Sequence, residues 1–318
     1  MILTDYLRST RDITWDFAKQ CGVEHGVIRL PEDPAFDICD RSHWQQVEKR
    51  FLDFGIKPIV IEPMPNELHD HIKAGDAKRD ECIEKVIRMF PIMESLDIRM
   101  ICFNFMAYVG WLRTDHEIRE RGGALVTGFD MTDYREDPAV VPADGITEER
   151  LWENYTYFIK AVLPYAERYG IRLALHPDDP PVARLGKVSR IMVSHENIKR
   201  AIAIGNSDSL GLTMCQACYQ MMGENLREVI PEMKDKIFFI HFRNATGNRY
   251  RFHETFHDNG DIRMGEMLKL YQKCGLHVPI RVDHVPTMAG ETENSGYAAL
   301  GRLYAIGYLK GLLEGLGM

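Results

Sequence analysis

Four residues of this 318-residue sequence carry metal-binding side chains and sit at the same kind of place. His176 closes the apolar run IRLALH and Cys215 closes SLGLTMC. His241 lies near the end of KIFFIHF, and Asp283 near the end of VPIRVDH. Neutral imidazole, thiolate and carboxylate are together a donor set for a divalent transition metal. Taken singly, each has a plainer reading. A histidine at a strand end can be a hydrogen-bonded rim residue, a cysteine in an apolar run a small buried hydrophobe, and an aspartate a helix cap. No short fingerprint joins the four, so their spacing leaves both readings open. Cys215-Gln216-Ala217-Cys218 is formally CxxC, but no second such pair exists and it leaves a strand, so a zinc ribbon is not expected.

The elements that must position these residues follow a simple alternation. Strand-like runs at 26–30, 57–62, 98–105, 171–176, 209–215, 236–242 and 278–284 are separated by helical stretches at about 42–54, 77–96, 147–169, 195–205, 223–234, 262–274 and 297–316. Such alternation means parallel strands with crossover helices. The opening MILT is a weak eighth strand. Eight strands would close a (β/α)8 TIM barrel, in which every strand C-terminus faces one mouth. The polar strand ends, Glu62 and Asn104 among them, favour that barrel over an open sheet. The expected domain is a single barrel over 1–318, with a shortened first strand and a long connection after the third clear run. That connection, 110–146, carries Trp111, Arg113 and Asp115 and reads as a lid. In LALHPDDPP (173–181), three prolines stiffen the backbone after His176. They hold Asp178 and Asp179 near the mouth, to orient ligands or meet substrate, with one of the two capping a turn.

Bulk composition excludes other classes. Hydrophobic residues are 45% and charged residues 27%, the globular range, and the net charge of −8 has no basic stripe for nucleic acid. No apolar run approaches the roughly 20 residues of a membrane helix. The start lacks a secretory layout, and seven irregularly spaced cysteines fit free thiols in a reducing cytosol, so a cytoplasmic location is expected. No GxGxxG follows the first strand and no phosphate-binding GxxxxGK[ST] occurs.

The sequence resembles the metal-dependent D-mannonate dehydratases over most of its length. The carrying motifs include IEPMPNELHDHIKAGD (61–76), CFNFMAYVGWLRTD (102–115), LALHPDDPP, GLTMC (211–215), FFIHFRN (238–244), FHETFHDNGDIRM (252–264), RVDH (281–284) and SGYAALGRL (295–303). The resemblance implies a xylose-isomerase-like barrel. It places the metal ligands on His176, Cys215, His241 and Asp283 and the metal as Mn2+, where ligand chemistry alone would equally suit Fe2+, Co2+ or Zn2+. It implies dehydration of a sugar acid to a 2-keto-3-deoxy acid, with Tyr297 catalytic. Removing a weakly acidic proton beside a carboxylate needs a base, and departure of the β-hydroxyl needs an acid. His284, next to Asp283, is the partner candidate. Asn104, Arg113, Asp178, Asp179, Arg243, Asn244 and His253 are expected to contact substrate. HETFH (253–257) matches the formal zincin spacing, but its surroundings are not helical by pattern. A sugar isomerase or epimerase of the same superfamily is the alternative activity, and a homo-oligomer is expected. Gly110 stands where the family has aspartate, and RVDHV (281–285) lacks the proline and glycine of RPDHG. These departures surround the substrate, so the chemistry carries over further than D-mannonate itself.

Overall fold

The computed structural model describes residues 1–292 and 295–318. Eight parallel strands close a barrel: β1 (Ile2–Arg8), β2 (His25–Arg29), β3 (Lys57–Ile61), β4 (Met100–Phe103), β5 (Arg172–Leu175), β6 (Leu210–Cys215), β7 (Ile237–Phe242) and β8 (Pro279–Val282). Each strand pairs with its neighbours in sequence, and β1 closes on β8 through Ile2 opposite Pro279 and Leu3 opposite Ile280. The opening strand is seven residues long, longer than the MILT stretch marked by its hydropathy. Asp5 and Arg8 interrupt its apolar run because the buried Asp5 pairs with Arg302 on the helix-facing side and Arg8 lines the mouth.

The helices are α1 (Ile13–Gln20), α2 (Arg41–Asp53), α3 (Asn66–Ala74), α4 (Arg79–Ser95), α5 (Glu148–Tyr169), α6 (His195–Gly205), α7 (Gln216–Met222), α8 (Leu226–Met233), α9 (Met264–Lys273) and α10 (Ala299–Gly315). Three were not visible in the periodicity: α1, α3 and α7, each of nine residues or fewer. So short a helix spans few turns of a 3.6-residue pattern, although α8, also of eight residues, lies within the stretch read at 223–234. The main core lies between strands and helices. A smaller cluster of Val27, Val60, Met100, Cys102, Ala174, Phe238 and Phe239 comes from β2 to β5 and β7. The alternation Met100/Cys102 on β4 puts that second cluster inside the barrel.

The connection 110–146 is not a structureless loop. Its strands Asp115–Arg119 and Leu125–Asp130 join Arg251–Glu254 and Ala245–Asn248 in a four-stranded antiparallel sheet. The first strand is almost wholly exposed, so it carries no apolar alternation to read. Among the described residues no helix is long and apolar enough to cross a membrane.

Gly211 sets how closely β6 approaches β7. A Cβ there would lie 2.4 Å from the Lys236 carbonyl oxygen and 2.5 Å from the Phe238 ring. Gly211→Ala is therefore expected to destabilise the barrel by about 1–3 kcal/mol, as overpacking does. Urea unfolding measures it, and an unchanged midpoint would show that the strands have slack.

Candidate active site

Strand register brings the chemistry together. Cys215 on β6 lies directly opposite His241 on β7, and His241 lies opposite Arg281 on β8. Two residues beyond Arg281, the side-chain period of a strand returns Asp283 to the same face. Ligand atoms of Cys215, His241 and Asp283 all fall within 4.8 Å of one another. His176, one residue past β5, closes the group. Its Nε2 is 3.1 Å from His241 Nδ1, and it lies within 4.8 Å of Cys215 Sγ.

The two imidazoles are oriented from behind. His176 Nδ1 is 2.6 Å from the Pro177 carbonyl oxygen, so Nδ1 carries the proton and the Nε2 lone pair faces inward. His241 Nε2 faces Glu62 Oε1 at 3.1 Å, outside good hydrogen-bond geometry, which leaves Nδ1 toward Asp283 Oδ2 at 3.6 Å. Burial and Arg281 oppose a charged His241, but Glu62 and Asp283 outweigh them and raise its pKa well above 6.5. Glu62 is clamped by Arg281, whose Nε and Nη2 each lie 2.9 Å from a carboxylate oxygen. Arg281 Nη1 also donates to Asp283 Oδ1 at 2.9 Å. Burial would raise the Asp283 pKa, yet His284, Arg281 and His241 hold it well below the usual range.

Asp283 and His284 both line the cavity although they are consecutive. The backbone at His284 has φ 32°, a left-handed turn that ends the strand's alternation. His284 Nε2 is 3.0 Å from the Tyr297 hydroxyl, and its Nδ1 is 3.2 Å from Glu254 Oε1. Tyr297 donates toward Asp283 Oδ1 at 3.4 Å. Burial and then Asp283 push its pKa well above 10, which favours the phenol over the phenolate. Trp111 covers this pair, with ring centroids 5.1 Å from His284 and 6.2 Å from Tyr297.

The cavity at this mouth has a volume of about 590 Å³. Arg8, Arg29, Arg281, Arg302 and Lys73 lie in its wall beside the carboxylates Asp12, Glu62, Asp70, Asp179 and Asp283, and Arg29, Arg281, Arg302 and Lys73 are each ion-paired with a carboxylate. Asn104 and Asp179 also line it. Five other residues expected to meet substrate are placed elsewhere. Asp178 is fully buried and accepts from the amides of Ile191 and Met192 at 3.1 and 3.0 Å, so it is the aspartate that caps a turn. Asn244 spends its amide on the His257 and Ile262 carbonyls and accepts from the Ile262 amide. His253 sits on the four-stranded sheet opposite Thr246. Strand alternation turns its neighbour Glu254 inward instead. Arg113 and Arg243 lie beneath the wall in a buried ion cluster. Arg113 grips both Asp179 oxygens at 2.7 and 3.0 Å, and Arg243 reaches Asp179 at 2.7 Å and Glu254 at 2.6 and 2.9 Å. Burial alone would raise Glu254, but Arg243 and Arg113 hold its pKa at about 2.

Asp179, Glu254 and His284 also form a metal-capable group by proximity, but two guanidinium ions already neutralise its carboxylates. The His176–Cys215–His241–Asp283 group has mixed N, S and O donors and a His176 ring oriented by the Pro177 carbonyl. While Arg281 takes Asp283 Oδ1 at 2.9 Å, the only guanidinium near Oδ2 among the described residues is the more distant Arg243 at 3.9 Å. The residues fit a divalent transition metal.

The D-mannonate dehydratase (UxuA) family model matches residues 3–141 and 142–317. The chain belongs to the D-mannonate dehydratase family. A mannonate dehydratase of Streptococcus agalactiae serotype III (strain NEM316) is 33% identical over 95% of this chain and 94% of its own length. The crystal structure of mannonate dehydratase from Streptococcus suis serotype 2 superposes with a TM-score of 0.91 at 29% identity. It covers the whole of this chain and 95% of that one. A xylose isomerase domain protein from Planctomyces limnophilus, 14% identical over 99% of this chain and 98% of its own, has a TM-score of 0.63 and shares the fold. Within the D-mannonate dehydratase family, then, this chain keeps a closed xylose-isomerase-like barrel with a polar cavity at its mouth.

The sequence did not single out Arg281, Glu254 or the contacts of Glu62 with Arg281 and His241. Arg281 had a signal: it precedes Asp283 by two residues on one strand face. Glu254 had one too, in the alternation of FHE.

His257 supplies a test of the site's foundations. It is buried, donates from Nε2 to the Phe242 carbonyl at 2.8 Å and leaves Nδ1 without a partner among the described residues. Burial lowers its pKa to about 4 from the ordinary 6.5. Below pH 6.5 the unfolded chain takes up this proton and the folded chain does not until about pH 4. Stability present above 6.5 is therefore lost as pH falls, by up to about 1.4 kcal/mol per pH unit. His257→Gln is expected to flatten the stability profile between pH 6.5 and 4. Parallel profiles for the two proteins would refute it.

Proposed function

We propose that the protein is a metal-dependent dehydratase of a sugar acid, D-mannonate or a related aldonate, giving a 2-keto-3-deoxy acid and water. The observation that carries this reading is the convergence of His176, Cys215, His241 and Asp283, of which His176, His241 and Asp283 line the cavity together with the His284–Tyr297 pair while Cys215 lies buried behind them. His176, Cys215, His241 and Asp283 would hold the metal, with Mn2+ as our choice and Fe2+, Co2+ or Zn2+ also compatible with the donors. A metal held there would supply Lewis acidity to offset negative charge developing next to the substrate carboxylate.

The chain's own residues handle the protons. His284 is held by Glu254 on one nitrogen and faces Tyr297 with the other. One of this pair takes the α-proton and the other assists the leaving hydroxyl. A phenol at Tyr297 is suited to donating, which would leave His284 as the base. Arg8 in the cavity wall would orient the carboxylate, and Asn104 and Asp179, which line the same cavity, would meet hydroxyls. The segment 110–146 would exclude water as a lid, a role supported by Trp111 lying over the proton-transfer pair. A cytoplasmic, homo-oligomeric enzyme completes the reading, and its seven unpaired cysteines are in keeping with a reducing compartment.

Exhaustive chelation is expected to abolish formation of 2-keto-3-deoxy acid across a panel of aldonates, and Mn2+ to restore it better than Mg2+, which disfavours thiolate and imidazole. Full activity in the metal-free protein would sink the reading. Separately, His284→Asn and Tyr297→Phe should each retain metal and fold while kcat drops roughly 10²-fold or more, with KM little changed. Near wild-type turnover in both would make the pair structural. The mutant that still exchanges the α-proton with deuterated water has kept the base.

A further inference from the structure

Cys218 is a buried thiol for which the proposed reaction has no use. Cys215 is the N-cap residue of α7, and Cys218 lies one turn inside that helix. Both are fully buried, with their sulfur atoms within 4.8 Å of each other and of a His176 ring nitrogen. Arg243 Nη1 bridges them, 3.6 Å from Cys215 Sγ and 3.7 Å from Cys218 Sγ. A Cys-x-x-Cys pair opening a helix is an arrangement that makes and breaks disulfides in redox proteins, because one helical turn brings the two Cα atoms within disulfide range. Here the first of the two thiols is also a candidate metal donor.

We propose that Cys215 and Cys218 form a reversible disulfide that competes with the metal for Cys215, with hydrogen peroxide as the oxidant. The inference rests on the reading of Cys215 as a metal ligand. A peroxide molecule is close to water in size, and the cavity reaches His176 and His241, which both adjoin Cys215. One thiolate attacks peroxide, the O–O bond breaks, and sulfenic acid and water result after proton transfer. The second thiol then attacks that sulfur, an S–S bond forms, the S–O bond breaks, and a second water leaves. In sum, two thiols and one peroxide give a disulfide and two waters, the sulfurs losing the two electrons that peroxide gains. A disulfide sulfur carries no negative charge, so three of the four donors remain. Conversely, a bound metal occupies the Cys215 thiolate and shields it.

The experiment uses the whole protein. Metal-free and Mn2+-loaded samples are treated with hydrogen peroxide, quenched, alkylated and digested with trypsin. One tryptic peptide, 201–227, holds both cysteines, so a link appears as loss of two hydrogens and failure to alkylate. The metal-free protein is expected to link, the loaded protein to resist, and the linked protein to lose metal affinity by about 10-fold or more, the scale of a perturbed ligand shell. Dithiothreitol should restore it. Cys218→Ser should bind metal as the wild type does yet form no link. Should that variant fold poorly, Cys218→Ala serves in its place. Free, alkylatable thiols in peroxide-treated metal-free protein overturn the inference and leave the ligand reading standing. A link that leaves metal affinity unchanged overturns the inference and the ligand role of Cys215 together.

Discussion

The site depends on a buried ion cluster that lies under it. Two guanidinium groups, Arg113 and Arg243, face two carboxylates, Asp179 and Glu254, all of them at most 3% exposed. Their formal charges cancel, and the paired, multiply hydrogen-bonded geometry offsets the desolvation that an isolated buried charge could not bear. Removing any one partner leaves its neighbour uncompensated, a loss of about 3–5 kcal/mol for buried pairs of this kind. The four residues come from four separate segments: the connection after β4, the loop after β5, the residue after β7 and the accessory sheet. The cluster therefore fixes how the mouth loops sit on the barrel.

It also touches both halves of the chemistry. Arg243 reaches the Cys215 and Cys218 sulfurs, and Glu254 reaches His284. A second tie, Glu62–Arg281–Asp283, does the same on the opposite side, through His241 and Asp283. Barrel register aligns the strand-end donors, and these two ionic ties hold their side chains. Function on this barrel rests on long-range pairs such as Arg281–Glu62, 219 residues apart in sequence.

That separation explains what the sequence made legible. The barrel was readable because each of seven apolar runs is a local signal, and only the opening strand, broken by Asp5, looked weak. The four strand-end residues His176, Cys215, His241 and Asp283 stood out because each ends such a run, and the structure brings them close together. Short helices and the exposed strand Asp115–Arg119 wrote no periodicity. The residues beneath the wall were harder. Arg243 and Asn244 follow His241 directly, so proximity in sequence suggested substrate contact. The structure instead spends Arg243 on Asp179 and Glu254 and Asn244 on backbone. Asp178 and Asp179 are chemically identical neighbours, and only the fold separates the backbone cap from the cavity carboxylate. In HETFH, histidines drew attention while the inward Glu254 is the residue that reaches His284.

The central claim is that a divalent metal sits among His176, Cys215, His241 and Asp283. A crystal of the Mn2+-loaded protein, with anomalous scattering recorded above and below the manganese edge, tests it most directly. The account predicts one strong anomalous peak bonded to His176 Nε2, Cys215 Sγ, His241 Nδ1 and an Asp283 oxygen. A peak on Asp179, Glu254 and His284, or no ordered manganese at the barrel mouth, would contradict it.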